Sequence, residues 1–396
     1  MMPEDNNYSA NSKPKFWNNP EKRALLFQVL MVGTVILFAL FIINNTMVNL
    51  EKRGISTGFD FLSQNAGFDI LLTLIPFDAT YSFGRTFVVG LLNTMLVSFL
   101  GVILATLLGF IIGVARLSHN WLIAKIAAVY VEIFRNIPLL LQIFFWYFAV
   151  LQLLPSPKQS IELFNGVQLN VRGLYLPEPV AGSGFGWVVI AFFAALIMSV
   201  FLVRWARRRQ DETGQFFPAY LASLGLIIGL CGLTFLLVGS PLTWVNPELV
   251  GFNFKGGITV IPELSALLLA LSIYTAAFIA EIVRSGIEAV DHGQTEAASA
   301  LGLPRSRTLR LVVIPQAMRV VIPPLTSQYL NLIKNSSLAT AIGYPDLVSV
   351  FAGTTLNQTG QAIEVIAMTM AVYLTLSLLV SLFMNWYNKR MALVER

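Results

Sequence analysis

Uncharged apolar runs of bilayer length recur along the chain, and the stretches between them gather nearly all of the charge. Residues 24–43 form the first run, and about 20 residues at helical rise cross the hydrocarbon of a bilayer. The stretch 44–85 mixes charges with Gly, Pro and short apolar words such as 70–75. It is too broken for a span and predicts an extramembrane loop holding an interfacial helix. Residues 86–115 carry no charge and predict a second span, in which Gly90, Gly101, Gly109 and Gly113 allow close helix approach.

The pattern is less regular over 126–154. A word with Glu132 and Arg135, which share a helix face at a spacing of three, precedes Pro138 and an aromatic apolar run. This predicts an interfacial helix that turns at Pro138 into a third span. Spans and loops then alternate. A loop with four prolines at 155–185 is followed by spans at 186–203 and 216–239, joined by an Arg-rich word at 204–209. A loop at 240–262 leads to a span at 263–283. After Pro323 and Pro324 comes a span at 325–342, then a loop with a short amphipathic piece at 343–364, and a last span at 365–387. The fold class is an all-α polytopic membrane protein with about eight transmembrane helices.

One charge-bearing, helix-prone stretch, 293–315, lies between two of these runs. Residues 294–301 are short and Ala-rich, and Gly302 suits the left-handed cap that ends a helix. Pro304 can open a second helix without losing a needed N–H. Arg305, Arg307 and Arg310 mark that second piece as water-facing, and Pro315 is expected to end it. The prediction is a helix–turn–helix on the membrane surface, with an Ala-rich face small enough for a partner to approach closely.

Composition narrows the classes. The chain has 396 residues, of which 56% are hydrophobic and 12% charged, with mean hydropathy +0.71. That excludes an ordinary soluble protein. The net charge of +5 would point to nucleic acid only if basic residues clustered without spans between them, and they do not. The chain has one cysteine, Cys231, inside an apolar run, and a single cysteine excludes a disulfide framework and a thiolate metal cluster. His119 and His292 both fall in loops, so no metal site is expected. The first apolar run lacks a small-residue cleavage site and reads as a retained anchor behind a disordered tail at 1–23. With the N-terminus inside, cytoplasmic segments hold eighteen basic residues against six outside. This bias places 293–315 on the cytoplasmic side and both termini there as well.

Glu296-Ala297-Ala298, then Gly302, then Ile314-Pro315, resemble the EAA loop of permease subunits in ABC importers, here spanning 286–322. Gly293-Gln294 before it and Pro315-Gln316-Ala317 after it resemble the polar amino-acid branch of that family. So does the charged pair ahead of Pro138-Leu139-Leu140, with Gln142 following. The general pattern ends Ile-x-Leu-Pro, whereas here Ile314 directly precedes Pro315. The resemblance implies a permease core of five spans in two parts, 86–154 and 263–396. The anchor at 24–43 and the block 155–262 are additions, as in the larger subunit of importers of broad L-amino-acid range, and 44–85 is a periplasmic loop.

It further implies ATP-driven uptake of L-amino acids across the bacterial inner (cytoplasmic) membrane. Gly293, Gln294, Glu296, Ala297, Ala298, Ala300, Leu301 and Gly302 would form the helix that couples to an ATPase. The chain has no G-x-x-x-x-G-K-[ST] loop. Hydrolysis, with its ATP and Mg, therefore belongs to a separate ATP-binding subunit, and this chain carries no catalytic residue and no cofactor. The other implied partners are a second permease subunit (a related chain or a second copy), a periplasmic amino-acid-binding protein and membrane lipid. Intramembrane polar residues mark a candidate pathway: Asn93, Gln142, Asn331, Lys334, Asn335 and Ser336. A helix–helix hydrogen bond is the alternative for Asn93. Glu281 and Arg284 read as a structural pair. A secondary transporter would show inverted repeats, and none is visible. A membrane scaffold would explain the spans but not the amino-acid-type words on both sides of the loop.

Overall fold

Helices α2 (Phe83–Arg116), α7 (Pro262–Glu288) and α10 (Ile314–Asn335) form the centre of the molecule. The computed structural model describes residues 20–52 and 57–391. Most of the expected tail at 1–23 and the end of the chain at 392–396 lie outside them. Along α2, small residues recur every fourth position through Gly101, Ala105, Gly109 and Gly113, and this stripe is buried. It lets α7 run beside α2 in the same direction at close range. A Cβ on Gly109 would sit 2.6 Å from the Cβ of Ile279, and one on Gly113 2.8 Å from the carbonyl of Ala280. Such backbone approach is how helices associate where lipid removes the hydrophobic drive between them. α10 runs back along α7, with Val321 and Ala317 over Gly286 and Leu332 over Gly101. Beyond a single turn, α11 (Leu356–Thr359), α12 (Ala362–Met391) closes on α10 through Met384.

The charged word and Pro138 produce a bend of 105° between α3 (Trp121–Asn136) and α4 (Leu139–Phe144) with its continuation to Leu153. Asn120 caps α3 by accepting from the backbone N–H of Leu122 at 3.0 Å. α3 therefore starts well before residue 126. Among the described residues seven helices are long and apolar enough to cross a membrane, and the bent pair makes an eighth. α1 (Pro20–Lys52) stands free of the bundle, with none of its span buried. α5 (Phe185–Thr213) and α6 (Ala219–Leu237) pack on each other. Their contact uses Ala191, Ala195, Ser199 and Ala206 on one helix, and Ala219 and Ser223 on the other.

Several helices outrun their apolar runs. α1 continues to Lys52, and α5 carries the Arg-rich word 204–209 as helix. An apolar run marks only the lipid-crossing part, while backbone hydrogen bonding continues into water where the residues are good helix formers. The loop 44–85, expected to hold an interfacial helix, has among its described residues beyond α1 a 3-10 turn at Asp60–Ser63 as its helical element, and the apolar word 70–75 is irregular. The expected loops at 155–185 and 240–262 contain eight short strands. β1 (Ile161–Phe164), β2 (Val167–Asn170), β3 (Gly173–Leu176) and β8 (Ile258–Val260) form an antiparallel sheet in that order. β4 (Glu178–Ala181) pairs with β5 (Leu242–Val245), and β6 (Glu248–Val250) with β7 (Asn253–Lys255). Strands of three or four residues with mostly exposed positions leave no alternating pattern to read.

Candidate functional site

The link from α7 to α10 is built by its capping residues. Asp291 opens α8 (His292–Ala300) by accepting from the backbone N–H of Gly293 at 2.6 Å. At the far end Gly302 N–H donates to Ser299 O at 2.9 Å and Leu303 N–H to Ala298 O at 3.1 Å. This paired pattern closes a helix through a left-handed residue, and Gly302 has φ +75°. Gly293, Gln294, Glu296, Ala297, Ala300, Leu301 and Gly302 are exposed, Leu301 at 82%. Ala298 is not: it is 3% exposed, on a helix that packs against the chain's own following segment, α9 (Arg305–Thr308) and the wide turn at Leu309–Val313. It holds the helix down and offers nothing to a partner. His292 lies 3.1 Å from Glu296, and the amide of Gln316 donates to Gln294 at 3.2 Å.

Pro315 does not end the second piece. α9 (Arg305–Thr308), a π turn at Leu309–Val313 and α10 form one continuous helical path. Pro315 falls in the first turn of α10, where its missing N–H is not needed. The path also passes Pro323 and Pro324, so the seventh span begins far ahead of residue 325 and ends in a 3-10 segment at Ser336–Ile342.

At the base of this loop, Glu281 gathers three arginines from three helices. It pairs with Arg116 of α2, with Arg284 of α7 at 2.5 Å, and with Arg135 of α3 at 3.9 Å. Arg284 also reaches Glu288. The expected Glu281–Arg284 pair is thus part of a larger knot. Arg135 turns to this knot and not to Glu132, whose backbone carbonyl accepts from Asn136 at 2.7 Å. On the loop itself, Arg305 meets His119 at 2.7 Å and ties α9 to the α2–α3 turn.

The polar pathway candidates separate into structural groups and one open group. Asn93 has no exposed surface. Its side-chain amide N–H groups donate to Leu72 O at 2.8 Å and Pro345 O at 2.9 Å, and its backbone carbonyl accepts from the Tyr344 hydroxyl at 3.0 Å. Beside it, Thr94 accepts from Leu347 N–H at 3.0 Å. Asn93 therefore locks the connection after α10 onto α2. Gln142 is likewise buried, and its amide donates to Phe134 O and Ile137 O, both at 3.0 Å. It satisfies the carbonyls that α3 leaves open at the bend.

At the end of α10, Asn331 and Lys334 are exposed and Asn335 is half-buried. Ser336 is buried and donates to Ile333 O at 2.7 Å. Lys334 lines a groove of about 370 Å³ with Ser337, Val348, Thr369, Met370 and Tyr373. Asn93 and Gln142 are not gathered around that groove.

A carboxylate that the sequence did not mark stands behind it. Asp346 lies in the connection between α10 and α12 and is fully buried. It accepts from Ser349 N–H at 2.8 Å and from the hydroxyls of Tyr373 at 3.3 Å and Thr340 at 3.4 Å. Burial pushes its carboxyl up to about 6. This connection, expected as a loop, is a buried irregular helix containing a π segment, Val348–Thr355. The signal available was one acidic residue inside an otherwise apolar word.

A central bundle with a capped surface helix between two core spans invites comparison with membrane transport subunits. Residues 215–393 match the family described as binding-protein-dependent transport system inner membrane component. The chain is 57% identical to YhdX of Escherichia coli strain K12, covering 96% of both chains. It is 52% identical to the general L-amino acid transport system permease protein AapQ of Rhizobium johnstonii, over 96% of this chain and 94% of that one. Against the glutamate/glutamine/aspartate/asparagine transport system permease protein BztB of Rhodobacter capsulatus, identity is 43% over 94% and 95%. With likeness at that level along nearly its whole length, the chain belongs to the permease subunits of amino-acid ABC transporters.

Proposed function

We propose that this permease carries L-amino acids inward across the bacterial inner membrane, driven by a separate ATP-binding subunit that grips α8. The carrying observation is the form of that helix. It is short, capped at both ends, and presents Ala297, Ala300 and Leu301 outward between two core spans. Two small side chains and one large apolar one suit insertion into a groove of another protein. Closing of paired ATPases would move α8. The knot at Glu281, which binds α2, α3 and α7 together, would pass that motion to the bundle as a rigid-body tilt.

Further partners follow from the same reading. A second permease subunit completes the pathway, and an external amino-acid-binding protein delivers substrate to the end of the bundle that carries the strands. ATP and Mg are used by the ATPase, and this chain holds no cofactor. Basic residues concentrate in the segments assigned to the inside, which supports cytoplasmic termini. The relatives named above as general L-amino-acid and glutamate/glutamine/aspartate/asparagine permeases support the substrate class.

The test is reconstitution of the complex in proteoliposomes with its ATPase and binding protein. Uptake should require internal-face ATP, survive an ionophore that collapses ion gradients, and be accompanied by amino-acid-stimulated hydrolysis. Uptake that persists without ATP and fails with the ionophore would sink the reading in favour of a secondary transporter.

A further inference from the structure

The strands flanking the α5–α6 hairpin do more than connect it. They form one wall of a cavity of about 700 Å³ at the end of the bundle where α7 begins. This is about 40 Å from α8 by the rise of a 27-residue helix. Tyr147, just past α4, and Glu263, in the first turn of α7, also line it. Here two opposite charges share a cavity without meeting. Glu263 accepts a hydrogen bond from Tyr147 through Oε1 at 2.9 Å, while its Oε2 is buried with no partner. An unpaired buried carboxylate oxygen is costly and calls for a donor.

Arg172, which also lines the cavity, sits in the tight turn between β2 and β3. That turn is set by the backbone N–H of Arg172 donating to Asn170 at 2.9 Å, and Asn170 donating in turn to Ser160 at 3.0 Å. Among the described residues its guanidinium has no ion-pair partner. The same cavity is lined by a pair of aromatic rings. Tyr175 is 2% exposed, stacks near Phe254 with ring centroids 4.9 Å apart, and donates to the side-chain oxygen of Asn253 at 2.8 Å. That bond leaves the Asn253 amide N–H groups free to donate to a ligand.

We propose that this cavity is an entry site for a free L-α-amino acid. Glu263 holds the ammonium group and Arg172 the carboxylate, while Tyr147, Tyr175 and Phe254 receive the side chain. A carboxylate held by Tyr147 and a guanidinium without an ion-pair partner, both lining one cavity, select a zwitterion over a singly charged solute. A lining of neutral aromatic rings is tolerant of many side chains, as a broad-range importer needs. The inference rests on the amino-acid importer reading and deepens it. The insertion between α4 and α7 then serves to hold substrate at the mouth after release from the binding protein.

The experiment is equilibrium binding of tritiated L-glutamine to the full chain in lipid nanodiscs, without ATPase or binding protein. Saturable binding is expected. N-acetyl-L-glutamine and L-glutamine amide, each lacking one charge, should compete at least tenfold more weakly than L-glutamine itself. Glu263→Gln, which keeps the Tyr147 contact, and Arg172→Gln should each weaken binding tenfold or more. The analogues test the wild-type chain, so the proposal stays open to refutation if a variant misfolds. No saturable binding, equal competition by both analogues, or unchanged binding in both variants would each overturn it. So would variants that bind L-glutamine normally but lose capture of the binding protein, which would give the cavity to a loop of that partner. ATP-driven uptake, measured in parallel, separates failure of this site from failure of the importer reading.

Discussion

Asn93→Ala tests whether that residue locks the fold or lines a path. The substitution removes the donor serving Leu72 O at 2.8 Å and Pro345 O at 2.9 Å. A buried acceptor left without its partner costs about 1–3 kcal/mol. The Pro345 bond is buried and takes the upper part of that range, while the Leu72 bond is part-buried and takes the lower. The loss is then about 2–4 kcal/mol, a large share of a typical stability. Asn93→Asp should be worse, since it turns a carboxylate oxygen toward two carbonyl oxygens. The assay is thermal unfolding of the purified chain in detergent, with uptake kinetics in proteoliposomes alongside. Both variants should unfold earlier, Asp before Ala, while the apparent KM of the remaining folded protein stays within about twofold of wild type. An unchanged midpoint together with a KM moved tenfold would refute the lock and return Asn93 to the substrate path.

Other perturbations probe the loop, its base and the buried acid. Gly302→Val meets no atom within 4 Å of its new Cβ, so its cost is backbone strain at φ +75°, about 1–2 kcal/mol or more. Stimulated ATP hydrolysis should fall with Val and largely survive Asn, which tolerates that conformation; equal activity in both would show that the turn is not needed. Glu281→Gln leaves Arg116, Arg135 and Arg284 without their shared carboxylate. At 26% exposure of that side chain the loss should be about 1–3 kcal/mol, partly recovered by adding Arg116→Gln, as read by unfolding midpoints. Asp346 has its carboxyl raised to about 6, so between about pH 4 and 6 the folded chain binds more protons than the unfolded one. Stability should therefore fall as pH rises through that window, by up to about 3 kcal/mol, and level off above it. Asp346→Asn should flatten the profile, and a variant that keeps the slope would exclude this residue as its source.

The long helices were legible because lipid imposes a rule on composition: a span must be apolar for about 20 residues, and nothing else in the chain looks like that. Gly302 was legible for a similar reason, since few residues accept a left-handed turn. Pro315 misled because proline stops a helix only where its N–H is needed, and a wide turn before it removed that need. Gln142 was found by type but not by role. Its amide serves carbonyls of a helix that leaves at 105°, an angle no local pattern encodes. Asp346 was missed because its partners come from α12, the 3-10 segment and its own turn. The strands were missed because each is too short to show a period. What the sequence withheld was the pairing: which polar group meets which partner once the helices have bent, widened and packed.

The pairing of β3 with β8 has a topological consequence. Leu174 lies opposite Val260 and Leu176 opposite Ile258, so the polypeptide leaves the ladder at Leu176 and rejoins it at Ile258, the other end of the same rung. Everything between those two residues, including both crossings of the α5–α6 hairpin, is a detour with a single doorway. Two crossings return the chain to the side it left, so the direction of every later span is the same with the detour or without it. A gene could gain or lose about 80 residues at that doorway and leave the core spans and α8 running as before, at the expense of Asn253 and Phe254 in the cavity at the mouth.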